Sequence, residues 1–331
     1  MEENMETGLE KLTDTIESVI TGIPAPIKKN FLKAFGQLCT AAVDIPVAWL
    51  EGKASEIRAT TDARVQIIKK EGEGFASEII VPKEYITKAS SKYASKIIKE
   101  QINLDDITLN AAKELSDKTA GEQTTSEKEI EDDWLNEFES HARLKSSDDM
   151  KLIFGKILSG EILNPGTFSI RTVRLISQLD NRAAKLFQLL CSQAISMRVG
   201  SHIIDARVVS FTGSAAANSL KSYGLSFDNL NILHEYGLII SDYNSYMNYA
   251  PSIANDNNQV AASVFFNNKH HGLIPTDKEK YDKILKMNGV ALTKAGKELL
   301  DIIPIEEMGD YKKDLTSYLE TKHLQMIEMN T

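Results

Sequence analysis

The chain has 331 residues, of which 42% are hydrophobic and 26% charged, values typical of a globular protein with a sizeable core. This length favours two domains. The formal net charge of −9 disfavours binding to bulk nucleic acid or anionic lipid unless basic residues cluster on one surface. Cys39 and Cys191 lie far apart in apolar helical patterns, which indicates buried thiols in a reducing compartment and not a disulfide framework.

Residues 1–118 are predicted to form an N-terminal helical region that mediates assembly or contacts a membrane surface. Apolar residues at helical spacing indicate a short helix within residues 1–21 and a second helix over residues 27–43. The acidic N-terminus lacks the basic region of a signal peptide. We therefore expect a cytoplasmic protein, with peripheral contact to the inner face of the membrane as an open alternative.

Residues 27–49, which begin with the second helix, carry a candidate membrane or assembly face. This face consists of Ile27, Phe31, Phe35, Leu38 and Trp49. Residues 31–50 have the length of a membrane span, but they contain Asp44 and Pro46, and a charge at the bilayer centre costs about 2.5–3.5 kcal/mol. Two interpretations stay open: a helix lying in the membrane interface, or a helix that packs on its own protein or on another copy.

A long helix of mixed charge is predicted from Glu51 to the glycines at positions 72 and 74. Its apolar side is a sparse seam made of Ala54, Ile57, Thr61, Ile67 and Ile68. A helix this polar buries little by itself, so we expect the seam to pack against a neighbouring helix or a second protomer.

Residues 83–118 are predicted to form two further helices. The first is basic and carries Lys83, Lys88, Lys92, Lys96 and Lys99. These lysines favour either a solvated face or contact with nucleic acid or an acidic partner. Residues 119–128 are polar and small, which is typical of a linker or a mobile loop.

Residues 129–180 are predicted to form a central helical module of three short helices. Asn164-Pro165-Gly166 ends the second helix, because proline disfavours helix in the residue before it. Ser169 or Thr167 is the expected cap of the third helix. That helix presents Arg171 and Arg174, candidates for contact with an anion or an acidic partner. The alternative is that these arginines pair with Glu161 or with acids of a neighbouring helix, or are solvated.

The motifs of this module are DDWLNEF and KLIFGKILSGEILNPGTFSIRTVRLISQL, and together they resemble the bacterial domain-of-unknown-function family 2806. The resemblance extends more weakly to IPAPIKKNFLKAFGQL, DIPVAWLEGKASEIRATTDAR and LTKAGKELL, so it spans most of the chain. It implies a cytosolic bacterial protein with a suspected role in conflict with phage. It supplies no catalytic residues.

Residues 181–305 are predicted to form a winged-helix-like domain, followed by a C-terminal helix over residues 306–331. The pattern predicts a helix over residues 182–199, a short strand or irregular edge over residues 202–211, and a helix that ends at Gly237. A strand, a long insert, a second strand and a helix capped by Thr293 follow. The order of helix, glycine, strand, insert, strand and capped helix resembles a winged helix.

The chain contains no P-loop, dinucleotide fingerprint, zinc-binding helix or nucleophile elbow. We therefore predict no catalytic residue, no metal site and no cofactor. DNA binding is disfavoured because the candidate recognition helix carries Asp228 and Glu235 but no lysine or arginine.

The predicted fold class is mainly α, with N-terminal amphipathic helices, a central helical module and a C-terminal winged-helix-like α+β domain. The predicted function is a non-enzymatic protein-interaction protein that assembles with itself and an unknown protein partner, with a part in anti-phage defence implied by the resemblance. The alternatives are a membrane-surface effector acting through residues 27–49 and a nucleic-acid-binding protein.

Overall fold

The computed structural model describes residues 23–39, 83–119, 127–255, 257, 259–281 and 283–329. The chain divides into two compact units, Met1–Val173 and Arg174–Thr331. The predicted boundaries at residues 118, 128, 180 and 305 stay predictions. The described helices of the first unit are α1 (Ala25–Leu38), α2 (Lys83–Thr119), α3 (Asp132–Ala142) and α4 (Asp148–Leu163), and α5 (Ile170–Gln178) crosses the boundary between the units.

The core of the first unit forms where α1 and α4 pack on the C-terminal half of α2. Gly155 of α4 permits close approach, because a Cβ atom there would lie 2.7 Å from the Cβ of Asn110. Lys151 Nζ donates to Asp106 Oδ2 at 2.7 Å on the same side of α2. In α1, Asn30 Nδ2 donates to the carbonyl oxygen of Ile162 at 3.3 Å, which ties α1 to the C-terminal end of α4.

Residues 83–118 form one continuous helix, although two helices were predicted. α2 has 37 residues. It contains no glycine or proline that would end a helix early. The prediction of two helices was therefore wrong.

The second unit contains a seven-stranded antiparallel sheet in its described part, with the order β3-β6-β2-β1-β4-β5-β7. The strands are β1 (Ala194–Val199), β2 (His202–Val209), β3 (Ser245–Asn248), β4 (Ser263–Phe266), β5 (Lys269–Pro275), β6 (Lys286–Ala291) and β7 (Leu324–Glu328). The helices are α6 (Asn181–Cys191), α7 (Phe227–Glu235), α8 (Lys294–Leu300) and α9 (Gly309–Thr321). The chain is therefore α+β with substantial helix, which confirms in part the prediction of a mainly α protein with an α+β C-terminal domain.

Two predicted elements differ because sheet pairing overrides local pattern. The helix predicted over residues 182–199 ends at Cys191, and Ala194–Val199 forms β1, which pairs with both β2 and β4. Of the two alternatives for residues 202–211, the strand is confirmed, because His202–Val209 forms β2 between β1 and β6. The predicted C-terminal helix ends at Thr321, after which β7 pairs with β5.

A buried polar network holds the sheet of the second unit. Arg207 makes two hydrogen bonds to the carboxylate of Asp205, at 2.6 and 2.8 Å, and donates to the carbonyl oxygens of Ser245 and Met287. Tyr249, fully buried, donates its hydroxyl to Asp205 at 2.9 Å. Because β2, β3 and β6 all contribute to these bonds, the network stabilises the pairing of these three strands.

The described helices do not include one that is both long and apolar enough to cross a bilayer.

Candidate functional site

The two halves of α2 differ in exposure. In the C-terminal half, Leu104, Ile107, Ala111 and Leu115 are at most 5% exposed. In the N-terminal half, every described side chain from position 84 to position 99 is exposed. We call residues 83–102 the arm, because this part of α2 extends beyond the helices that bury its other half.

The arm carries two lines of exposed apolar side chains. The first line consists of Tyr93 and Ile97, which are 58% and 42% exposed. These residues precede the buried Leu104 by 11 and 7 positions, that is, by three and two helical turns, so the first line continues the buried face of α2. The second line consists of Ile98 and Ile102, which are 56% and 45% exposed. At about 100° per residue the two lines together span about half of the helix circumference.

A third sector of the arm is basic. Lys88, Lys92, Lys96 and Lys99 lie on it, and two of them make ion pairs along the helix, Lys88 with the exposed Glu84 and Lys96 with the partly buried Glu100. An exposed pair such as Lys88–Glu84 contributes about 0–1 kcal/mol. The arm contains five lysines and two glutamates, so its net charge is +3. Because the whole chain has a net charge of −9, the residues outside the arm have a net charge of −12.

Four of the five residues of the predicted membrane or assembly face are buried in the first unit. Ile27, Phe31, Phe35 and Leu38 are at most 4% exposed, and the rings of Phe31 and Phe35 stack at 4.0 Å. These four side chains pack in the helical core. Trp49 lies outside the described residues, as does the whole predicted seam of Ala54, Ile57, Thr61, Ile67 and Ile68.

Arg171 and Arg174 are exposed on α5, which follows a tightly held turn. Glu161, only 2% exposed, accepts hydrogen bonds from the backbone N–H groups of Gly166 (2.6 Å) and Phe168 (3.0 Å). The carboxylate therefore fixes the Pro-Gly turn that leads into α5. As predicted, the Ser169 hydroxyl accepts from the backbone of α5, at Thr172 N.

The aromatic residues of the family-like motif complete this turn. Trp134 Nε1 donates to the carbonyl oxygen of Phe168 at 2.6 Å. The ring of Phe168 lies against Gly160, where a Cβ atom would come within 2.6 Å of it. The packing of this turn therefore requires the spacing of five residues in the motif: Gly160, Glu161, Pro165, Gly166 and Phe168. The motif was recognised from the sequence, but the role of Glu161 in holding the turn was not predicted. An acidic residue within an apolar helix face was the feature that could have indicated this role.

The second unit holds a small recess lined by Cys191, Ser196, Arg198, Phe265 and Asn267. Its volume of about 10 Å³ suits about one water molecule and no organic substrate. The Arg198 guanidinium already binds Asp301 with two hydrogen bonds and lies 4.4 Å from the centre of the Phe265 ring. Burial raises the pKa of the Cys191 thiol well above its usual value, so this thiol is a poor nucleophile.

Among the described residues, no group of three histidine, cysteine or acidic side chains is placed to bind a metal ion. The other thiol, Cys39, has its pKa raised to about 12, chiefly by burial, and lies 2.9 Å from the Thr108 hydroxyl. The arm is therefore the surface of the described chain whose exposure most needs a functional explanation.

A family model described as "Protein of unknown function (DUF2806)" matches residues 87–316. The search of curated proteins and the search of solved structures found no match to the chain. The matched region contains most of α2, the turn held by Glu161 and the whole sheet except β7. Because this match covers more than half of the 331 residues, the chain belongs to the DUF2806 family.

Proposed function

We propose that the chain is a non-enzymatic protein-interaction protein that assembles with a second copy of itself, and that the arm is the contact surface. The observation that carries the proposal is the exposure of Tyr93, Ile97, Ile98 and Ile102 on one helix. A role in defence against phage stays an expectation from the family resemblance.

The width of the apolar sector supports more than one helical neighbour. A helix that packs on one side of a globular core has an apolar stripe about 100° wide. The arm exposes a sector of about 180°, so one packed helix would leave one of the two lines in water. A second protomer supplies the further helix that covers the second line, Ile98 and Ile102.

Charge favours a second copy as the partner. The arm carries +3 within a chain whose remaining residues carry −12. A copy of the same chain therefore offers acidic surface to the lysines of the arm, and complementary charge speeds association and selects the partner. Added salt should weaken the assembly for the same reason.

Light scattering across a concentration series tests the proposal. We expect an oligomer for the unmodified chain and a monomer for the Ile98→Glu/Ile102→Glu variant. Ile284→Glu is a matched control, because Ile284 is 57% exposed in the second unit. A chain that stays monomeric at every concentration, or an arm variant with the mass of the unmodified oligomer, would contradict the proposal.

The exposed lysines favour nucleic-acid binding as a second candidate function. Lys92→Glu/Lys96→Glu should abolish binding to a labelled oligonucleotide, whereas Lys283→Glu/Lys313→Glu changes the net charge equally at exposed sites of the second unit. Binding through the arm should weaken steeply with salt. Each phosphate contact contributes about −0.7 to −0.9 to the slope of the logarithm of the binding constant against the logarithm of the salt concentration. Equal loss in both variants, or no binding at low salt, would remove this candidate.

A winged-helix arrangement remains our proposal for residues 181–305. The order of elements along the chain supports it: α7 is followed by Gly237, then by Ile239, and later by Leu292 and α8. Gly237 has a φ of 72°, and Ile239 and Leu292 form an antiparallel bridge. Thr293 caps α8 by accepting from Gly296 N at 3.2 Å, as the sequence predicted. Because α7 contains no lysine or arginine, we assign this part of the chain to protein contacts.

A further inference from the structure

β7 lies at an open edge of the sheet, where β5 is its neighbour among the described strands. Two backbone hydrogen bonds at the ends of β7 show which groups face β5. Thr276 N donates to the carbonyl oxygen of His323, and Met329 N donates to the carbonyl oxygen of His270, both at 2.9 Å. Alternate residues of an antiparallel strand direct their N–H and C=O groups to the same neighbour. The odd-numbered positions therefore face β5, and the positions whose backbone groups face the open edge are Leu324, Met326 and Glu328.

The sequence of β7 does not protect this edge. Natural proteins block an exposed edge strand with a lysine, a proline or a bulge, because its free backbone groups can pair with another strand. β7 contains no lysine or proline, and its register with β5 is continuous from Leu324 to Glu328. The edge is therefore suited to pairing with a further strand.

Two apolar side chains on one face of this edge are exposed. Ile327 is 38% exposed, and Met329, at the end of β7, is 43% exposed. The residue of β5 opposite Ile327 is Gly272, which has no side chain to pack against it. A strand added beside β7 would supply a cross-strand neighbour for Ile327.

The charges at the two ends of β7 favour a second copy of β7, in antiparallel direction, as that strand. Lys322 precedes β7 and Glu328 ends it. In an antiparallel pair centred on Met326, Glu328 of one copy lies opposite Leu324 of the other, two positions from Lys322. A parallel pair would place each charge beside its like, which is unfavourable. The same centre joins the outward backbone groups of Met326 to each other and those of Leu324 to those of Glu328, so all three positions find partners.

We propose that β7 pairs antiparallel with β7 of a second copy, about a two-fold axis at Met326, so that one sheet runs through both copies. A strand of five residues is only about 17 Å long, so this contact is smaller than the roughly 800 Å² per partner of a stable interface. The pairing therefore rests on the proposed function, because the arm contact joins the copies and raises the effective concentration of one β7 near the other.

Oxidative disulfide crosslinking of the full-length chain tests the pairing. Met326→Cys lies on the axis, where opposite Cα atoms are about 5.5 Å apart, within the roughly 4.4–6.8 Å that a disulfide spans. Glu328→Cys is the matched control, because positions 328 of the two copies would be four residues, or about 14 Å, apart along the strands. Cys39 and Cys191 stay in place, since their raised pKa values make them slow to react, and the unmodified chain gives the background.

We expect a disulfide-linked pair of chains in the Met326→Cys variant and little in the Glu328→Cys variant. Adding Ile98→Glu/Ile102→Glu should abolish the link, and a link that persists would overturn its dependence on the arm. Equal yields in the two cysteine variants, as a parallel or random contact would give, would overturn the proposal. No link in Met326→Cys would overturn it as well.

Met326→Pro provides a second measurement in case the cysteine variant folds poorly. The N–H of Met326 faces the open edge, so proline removes a donor of the proposed pairing but no hydrogen bond to β5. Hydrogen exchange at the amides of Leu324 and Glu328 should be slow in the unmodified chain and fast in this variant, and fast exchange in both contradicts the proposal.

Light scattering on the same samples separates this proposal from the arm contact. An oligomer without the disulfide link refutes the pairing of β7 alone. A link formed by a chain that is otherwise monomeric refutes the arm contact alone.

Discussion

Replacing Glu161 with glutamine should destabilise the first unit, because the buried carboxylate accepts two backbone N–H groups. The acceptor distances are 2.6 Å to Gly166 N and 3.0 Å to Phe168 N. A glutamine keeps one acceptor oxygen but turns its NH₂ group toward the second N–H. A hydrogen bond to a charged group contributes about 1.5–3 kcal/mol, and a buried N–H without a partner costs about 1–3 kcal/mol. We expect the free energy of unfolding to fall by about 3 kcal/mol.

Tryptophan fluorescence during urea unfolding measures this loss in the correct unit. Trp134 lies in the described part of the first unit, and a Trp49→Phe background leaves it as the single tryptophan of the chain. A chain with two units need not unfold in one step, so a probe confined to one unit avoids mixing two transitions. Glu131→Gln is the matched control, because Glu131 is exposed and should change the free energy by less than about 0.5 kcal/mol.

Equal transition midpoints for Glu161→Gln and the control would refute the assignment of Glu161 to the turn. Gly160→Ala tests the same turn from its other side. Alanine in place of glycine normally favours a helix by about 1 kcal/mol. Here we expect destabilisation, because the added Cβ atom would lie 2.6 Å from the Phe168 ring. A stabilised variant would show that the ring moves aside freely and that the glycine is not required for packing.

Three further predictions concern the second unit and are measured by thermal unfolding followed with circular dichroism, in the transition that Glu161→Gln leaves unchanged. Gly289→Ala should lower its stability by about 3 kcal/mol, because the φ of 151° strains a side chain and the Cβ atom would lie 2.0 Å from the carbonyl oxygen of Val208. Asp205→Asn should cost about 3–5 kcal/mol by leaving the Arg207 charge buried without its partner, and a change below 1 kcal/mol would contradict this. Burial lowers the pKa of His271 below its ordinary 6.5, so the unfolded state binds more protons and stability should fall as the pH drops from 6.5 toward the folded value. His271→Gln should reduce that loss, and an unchanged pH dependence would exclude His271 as its source.

Local signals made the central helices predictable. Asn164-Pro165-Gly166 ends α4 and Ser169 accepts from the backbone of α5 where the sequence indicated, because turn and cap chemistry act over a few residues. The strands of the second unit were harder to predict. β1 continues the apolar run of α6, and its identity depends on β2 and β4, of which β4 lies about 70 residues away. β2 was hard to predict because Asp205 and Arg207 make its sequence polar. These two residues fit inside the sheet only because they form an ion pair with each other.

The contrast between α1 and the arm shows what helical periodicity cannot predict. Both sequences carry apolar residues three or four positions apart, next to lysines, and the sequence made α1 the better candidate for an outside partner. In the structure Phe31 and Phe35 are covered by the helices of their own unit, whereas Tyr93 and Ile97 are exposed. A periodic pattern indicates that a face needs a partner, and only the packing shows whether the partner has been found. Since α1 already has its partner and the apolar side chains of Tyr93, Ile97, Ile98 and Ile102 are exposed, the search for contacts of this protein should begin at the arm.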